Sequence, residues 1–198
     1  MEPKQSQFNR ILLVILVVLY VVTIAAFITA ELTAAGAVEW WKVLLNILIL
    51  SIPLVLLYGS VYVLVTAWRE HTTLGLVNPP LAKIIHWAPR LAAILIIFFI
   101  SLFSLDVFEM GGTPLELLGG FLMHNIPSIG MLVLLVFAWK RPAVGFVAFL
   151  IAGTLFAVFF VRDFYALPNL LIFVLPVLLI ACLFYADWKW LKPLSPAQ

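Results

Sequence analysis

The sequence is poor in charge, in cysteine and in histidine. Of 198 residues, 10% are charged, one is cysteine and three are histidine, whereas soluble domains carry about 25% charged residues. A net charge of only +2 excludes a basic nucleic-acid-binding protein, so we expect no nucleic-acid partner. The single cysteine, Cys182, excludes a disulfide-rich secreted domain. No low-complexity tract is present, which argues against a disordered tail.

Apolar residues dominate the composition. They make up 66% of the chain, and the mean hydropathy is +1.22. A chain of this size could not hide so much apolar surface from water. The apolar runs also lack strict alternation with polar residues, which favours helices. We therefore expect an all-α membrane protein whose surrounding solvent, and first partner, is the lipid bilayer.

Six apolar runs have the length of about 17–25 residues that a membrane-spanning helix requires. They predict a six-transmembrane-helix bundle arranged as three antiparallel hairpins. The chain then divides into an N-terminal hairpin (1–70), a cytoplasmic interfacial linker (71–90), a four-helix unit (91–190) and a cytoplasmic tail (191–198). The predicted spans cover residues 11–30, 43–68, 91–108, 115–139, 142–161 and 167–186.

The basic residues predict the orientation. Nine of the 11 Lys and Arg fall on one side of the predicted spans, which is the pattern of a cytoplasmic face and places both termini there. The first apolar run is longer than that of a typical signal peptide, so we expect it to remain as an anchor. Trp-basic pairs close the even-numbered spans on the same side, at Trp68-Arg69, Trp139-Lys140 and Trp188-Lys189.

The start of the fourth span has a strong local signal. Thr113 is a good N-cap, Pro114 suits the first helical position, and Glu116 completes a capping box. The preceding Gly111-Gly112 pair predicts the turn from the third span. We expect Glu116 to be used at least partly in this cap.

Interior prolines and small residues predict kinks and close packing. Pro53, Pro127 and Pro176 each remove a backbone donor inside a predicted span and should bend it. Gly145 and Gly153 lie on the fifth span, where small residues let a neighbouring helix approach closely.

Ionisable residues inside a membrane are costly and therefore mark candidate sites. Asp106, Glu109, Glu116 and His124, with the adjacent Asn125, are predicted on the non-cytoplasmic side. Converging there, they could bind a divalent cation or pass protons through the imidazole. The alternative is structural: Glu116 caps a helix, Glu109 lies in a solvated loop, and His124 and Asn125 form hydrogen bonds between helices.

No stronger chemistry is visible. The sequence contains no His-Glu-x-x-His, Gly-x-Ser-x-Gly or phosphate-binding glycine loop, so we expect neither an enzyme nor a bound cofactor or metal. The leading hypothesis is a structural or accessory protein that associates with itself or with another membrane protein. The alternatives are a small transporter or ion- or proton-conducting protein that uses the outer cluster, and an intramembrane enzyme with His124 as base.

From about residue 86 to 190 the chain resembles an uncharacterised family of small prokaryotic integral membrane proteins. The resemblance implies a four-helix unit with an extra N-terminal hairpin, and a bacterial cytoplasmic membrane as the location. It implies no activity and no substrate. It rests on Arg90, the run Ser101-Leu102-Phe103-Ser104-Leu105-Asp106-Val107-Phe108, then Glu116-Leu117-Leu118, Met123-His124-Asn125-Ile126-Pro127 and Trp139-Lys140.

Overall fold

A computed structural model describes residues 3–34, 40–109, 111–160 and 166–191. Within these ranges the chain is almost entirely helical and has no strand, which confirms the all-α prediction. The tail after Leu191, residue 161 of the fifth predicted span, and the outer charges Glu39, Arg162 and Asp163 lie outside the described residues. The α-helices are α1 (Pro3–Ala34), α2 (Trp40–Leu74), α3 (Pro79–Leu102), α4 (Pro114–His124), α5 (Ile126–Ala138), α6 (Pro142–Phe160), α7 (Ala166–Asn169) and α8 (Leu175–Trp190).

Five helical segments of the described chain are long and apolar enough to cross a membrane. They are α1, α2, α3 with the 3-10 turn Phe103–Glu109, α6, and α7 to α8 through the π-helical turn Leu170–Val174. The pair α4 and α5 passes the same test together but is bent by 49°. The described residues therefore contain five candidate spans, or six if the bent pair crosses as one.

The predicted span 115–139 is thus two helices instead of one. The break falls at Asn125, directly before Ile126 and Pro127 at the start of α5. Pro127 has no N–H for the carbonyl of Met123, and its ring would collide with that oxygen in a straight helix. The bend is the expected result of an interior proline.

The other two interior prolines are absorbed differently. Pro53 lies inside α2, which is continuous from Trp40 to Leu74. Pro176 follows the π-helical turn, in which the N–H of Leu175 donates to the carbonyl of Leu170. The wider turn accommodates a residue that cannot donate, as π-bulges in helices often do.

The segment predicted as an interfacial linker is mostly helix. Gly75, at φ 71°, ends α2 in a left-handed conformation that suits glycine. Asn78 then caps α3 by accepting from the N–H of Leu81 at 2.9 Å. Because Pro79 and Pro80 occupy the first helical positions, where no N–H is needed, α3 begins there and continues to Leu102.

Four helices close into a ring: α3 packs on α5, α5 on α6, α6 on α8, and α8 on α3. Outside the ring, α2 packs on α3 and α8, and α1 packs on α2. The core contains the fully buried rings of Phe99, Phe149 and Phe184. Gly145 of α6 lies against Phe184 and Gly153 against Leu178, which confirms the predicted close approach of small residues.

Candidate functional site

The most deeply buried ionic contact among the described residues lies where α3 begins and α8 ends. Arg90 Nη1 donates to Asp187 Oδ2 at 2.7 Å. Arg90 is 2% exposed and Asp187 6% exposed. Two charges removed from water remain stable only if they are paired and hydrogen-bonded, and this pair meets that condition.

The guanidinium of Arg90 also joins a third element. Its Nε and Nη2 both donate to the backbone carbonyl of Trp139, at 3.2 and 2.9 Å, and Nη1 donates further to the carbonyl of His86. Trp139 follows α5 directly, so Arg90 connects α3, α8 and the turn between α5 and α6. A planar fork of N–H donors suits such a three-way junction.

His86 completes the cluster on its accessible side. Its Nδ1 lies 3.2 Å from Asp187 Oδ1, and its side chain is 48% exposed. Nδ1 is the ring nitrogen that faces the carboxylate. The two oxygens of Asp187 therefore contact Arg90 and His86 separately.

A cavity of about 770 Å³ opens beside this cluster, and we call it the Arg90 cavity. Three tryptophans surround it, and Lys140 adds a cation that the Arg90–Asp187 pair does not neutralise. It is lined by His86, Trp87, Arg90, Trp139, Lys140, Pro142, Asp187, Trp188 and Leu191.

A second buried acid lies where α2 ends. Glu70, 5% exposed, accepts from the backbone N–H of Asn78 at 3.1 Å and from Asn78 Nδ2 at 2.6 Å. Because Asn78 also caps α3, the carboxylate joins the end of α2 to the start of α3 across a short loop.

Asp106, from the predicted outer cluster, lines a cavity. It is exposed on the 3-10 turn after α3 and lines a groove of about 510 Å³ together with Glu31 and Asn46. Asn46 Nδ2 donates to Glu31 Oε1 at 2.6 Å. The structure therefore brings Asp106 to the N-terminal helices α1 and α2, and we call this cavity the Asp106 groove.

The other members of the predicted cluster make local contacts. Glu116 Oε2 accepts from the N–H and hydroxyl of Thr113, at 2.8 and 2.9 Å, which confirms the predicted capping box. His124 is exposed, and its Nδ1 lies 2.9 Å from the carbonyl of Gly120. Asn125 is buried and donates to the carbonyl of Phe121 at 3.0 Å, while Glu109 is exposed at the end of the 3-10 turn.

The described residues therefore do not show the five predicted residues around one centre. Within the same residues, no group of three or more His, Cys, Asp or Glu side chains is placed to hold a metal ion.

Asp187 and Glu70 were missed because no motif marks them. A signal existed: both are acids near a helix C-terminus on the basic side of the predicted topology. A carboxylate there opposes the helix dipole and requires a partner.

A family model described as a domain of unknown function, DUF7670, matches residues 78–195, which is more than half of the chain. The chain belongs to the DUF7670 family. The match starts at Asn78, the cap of α3, so the DUF7670 unit comprises α3 to α8 and contains Arg90, Trp139 and Asp187. This confirms the resemblance to an uncharacterised family; no curated protein and no solved structure shows significant similarity to the chain.

Proposed function

We propose that the chain is a multi-pass integral membrane protein with a structural or accessory role, acting with a second copy or another membrane protein. The observation that carries the proposal is the surface of α1. Its most apolar window has a mean hydropathy of 3.3, yet 6% of that window is buried within the chain. Such a helix requires lipid or a partner around it, because in water its long, continuous apolar surface would be exposed to the solvent.

Within this proposal the DUF7670 unit is the rigid part. Arg90 ties α3, α8 and the α5–α6 turn together at one end, while α2 and α1 attach outside the ring. Arg90 is bonded to Asp187 and to backbone carbonyls of the chain, an arrangement that fixes the shape of this end of the unit. We further propose a bacterial cytoplasmic membrane, with both termini on the cytoplasmic side as the basic residues indicate.

Membrane insertion and orientation can be tested on the same protein. In a Cys182→Ser background, Lys83→Cys and Glu109→Cys place one reporter at each predicted face, both at exposed positions. We expect the protein to resist extraction by alkaline carbonate. A membrane-impermeant maleimide should label Glu109→Cys in intact cells and Lys83→Cys only after lysis. Release by carbonate would overturn the membrane assignment, and the reverse labelling would overturn the orientation.

The accessory role is tested by purification from native membranes in a mild detergent or nanodiscs. We expect a second copy or a defined membrane protein to remain bound. A monomer that keeps no partner under these conditions, while its membrane assignment stands, would contradict the accessory role.

A second candidate function is a small transporter or an ion- or proton-conducting protein. The observation that favours it is the Asp106 groove, where Asp106 and Glu31 line one cavity beside the amide of Asn46. Purified protein in liposomes with an internal pH-sensitive dye tests it. Flux that Asp106→Asn and Glu31→Gln abolish, and that Glu109→Gln leaves unchanged, would support this function. Equal flux in all variants and in empty liposomes would reject it.

A further inference from the structure

The Arg90 cavity continues into a second, apolar groove. This groove, about 510 Å³, shares Trp139 and Lys140 with the cavity and extends along Ile94 and Leu132. We call it the Trp139 groove. Ile94 follows Arg90 by about one helical turn, so the groove leads from the polar cluster along α3 into the apolar part of the chain.

Together the two spaces have the polarity of an amphiphile. One end holds His86, Arg90 and Lys140 around a single carboxylate, that of Asp187. The other end is lined mainly by apolar side chains, and Arg141, next to Lys140 in the chain, lines it too. A headgroup fits the first space and an acyl chain fits the second.

The charge balance selects an anionic headgroup. Asp187 is engaged by Arg90 and His86, and no described carboxylate lies within ion-pair distance of Lys140. The cavity therefore has an uncompensated positive charge at Lys140, next to Arg141. A quaternary ammonium, which aromatic walls could otherwise attract, would be repelled by these cations.

The position of the tryptophans supports a lipid over a soluble anion. Trp87, Trp139 and Trp188 line the cavity, and tryptophan concentrates at the depth of lipid headgroups. Basic pockets between membrane helices on the cytoplasmic side are a known way of holding anionic headgroups. Arg90 holds the backbone carbonyl of Trp139, the residue directly before Lys140.

We propose that the Arg90 cavity and the Trp139 groove together bind one anionic phospholipid, with its phosphodiester at Lys140 and one acyl chain along Ile94 and Leu132. This inference rests on the proposed membrane location.

Native mass spectrometry of the delipidated full-length protein tests it. Phosphatidylglycerol, phosphatidylcholine of the same acyl chains and glycerol 3-phosphate are added separately. We expect one phosphatidylglycerol to bind, at least about tenfold more tightly than phosphatidylcholine. Binding of glycerol 3-phosphate as tight as that of the lipid would show a soluble-phosphate site, and equal binding of the two lipids would show no headgroup recognition. Either result overturns the proposal.

Lys140→Gln with Arg141→Gln should weaken phosphatidylglycerol binding about tenfold. Lys83→Gln is the matched control, because Lys83 is exposed at the start of α3 but does not line the cavity. Leu132→Trp, which fills the groove and leaves the cations in place, should also weaken binding. An equal loss in Lys83→Gln would mean a diffuse basic surface and overturn the site. Carbonate extraction of each variant shows separately whether the membrane location itself fails.

Discussion

Arg90 and Asp187 lie 97 residues apart in the chain and 2.7 Å apart in space. Both are almost fully buried, and their contact closes the helix ring of the DUF7670 unit between α3 and α8. The guanidinium reaches the α5–α6 turn as well, through the carbonyl of Trp139. A single charge pair thus sets the relative position of three elements.

Breaking this pair from one side should be strongly destabilising. Asp187→Leu leaves the Arg90 guanidinium buried without its carboxylate, and we expect a loss of about 3–5 kcal/mol in the free energy of unfolding. Equilibrium unfolding in mixed detergent and SDS micelles measures it. Glu109→Gln, at an exposed position, is the control and should change stability by less than about 0.5 kcal/mol.

The double variant Arg90→Met with Asp187→Leu separates an unpaired charge from lost packing. We expect it to be more stable than Asp187→Leu alone, because the orphan cation is gone. The single variant Arg90→Met is measured as well. If the loss of stability in the double variant equals the sum of the losses in the two single variants, the two side chains do not act as a pair.

The Glu70–Asn78 contact should make the N-cap of α3 sensitive to the replacement of Asn by Asp. Asp and Asn are about equally good N-caps, so Asn78→Asp should be harmless in most helices. Here it would put a second carboxylate beside Oε1 of Glu70, which now accepts from Asn78 Nδ2 at 2.6 Å. We expect a loss of about 1–3 kcal/mol from the repulsion and the lost hydrogen bond, measured by the same unfolding assay.

Adding Glu70→Gln to Asn78→Asp restores a donor opposite the new carboxylate and should recover most of that loss. If Asn78→Asp is as stable as the original protein, the Glu70 contact contributes nothing to the loop between α2 and α3.

The local features of this fold could be predicted from the sequence because their causes are local. The Thr113 capping box, the turn at Gly111-Gly112 and the bend near Pro127 each depend on a few adjacent residues. The apolar runs likewise gave the approximate helix positions, since run length and bilayer thickness are directly related.

The candidate site depended on contacts that sequence spacing does not encode. One interpretation has Asp106, Glu116 and His124 converge on one site, and the other gives them structural roles. In the structure Glu116 caps α4, and His124 contacts a carbonyl of its own helix. The bend at Asn125 also redirects α4 away from the axis that a straight span would have had. The Arg90–Asp187 pair joins the first and last helices of the ring, and no periodicity links residues so far apart.

The contacts of His124 can be tested directly by substitution. Its side chain is exposed, and its one hydrogen bond within the described residues is with the carbonyl of Gly120. We therefore expect His124→Leu to change the free energy of unfolding by less than about 0.5 kcal/mol. The buried neighbour variant Asn125→Ala should cost about 1 kcal/mol or more, because it removes the bond to Phe121 and leaves a gap. A larger loss for His124→Leu than for Asn125→Ala would point to a buried partner for the imidazole.

Replacement of two glycines by alanine should change the free energy of unfolding in opposite directions. A Cβ at Gly145 would lie 2.6 Å from the ring of Phe184, which is fully buried between helices and has no room to move. We expect Gly145→Ala to push α6 from α8 and cost about 1–3 kcal/mol. A Cβ at Gly130 in α5 meets nothing within 4 Å, so Gly130→Ala should stabilise the helix by about 0.5–1 kcal/mol. Thermal unfolding in detergent, followed by tryptophan fluorescence, measures both changes in stability in one assay. Stabilisation by Gly145→Ala would mean that α6 and α8 are not in close contact. That result would contradict the packing of the four helices into a ring.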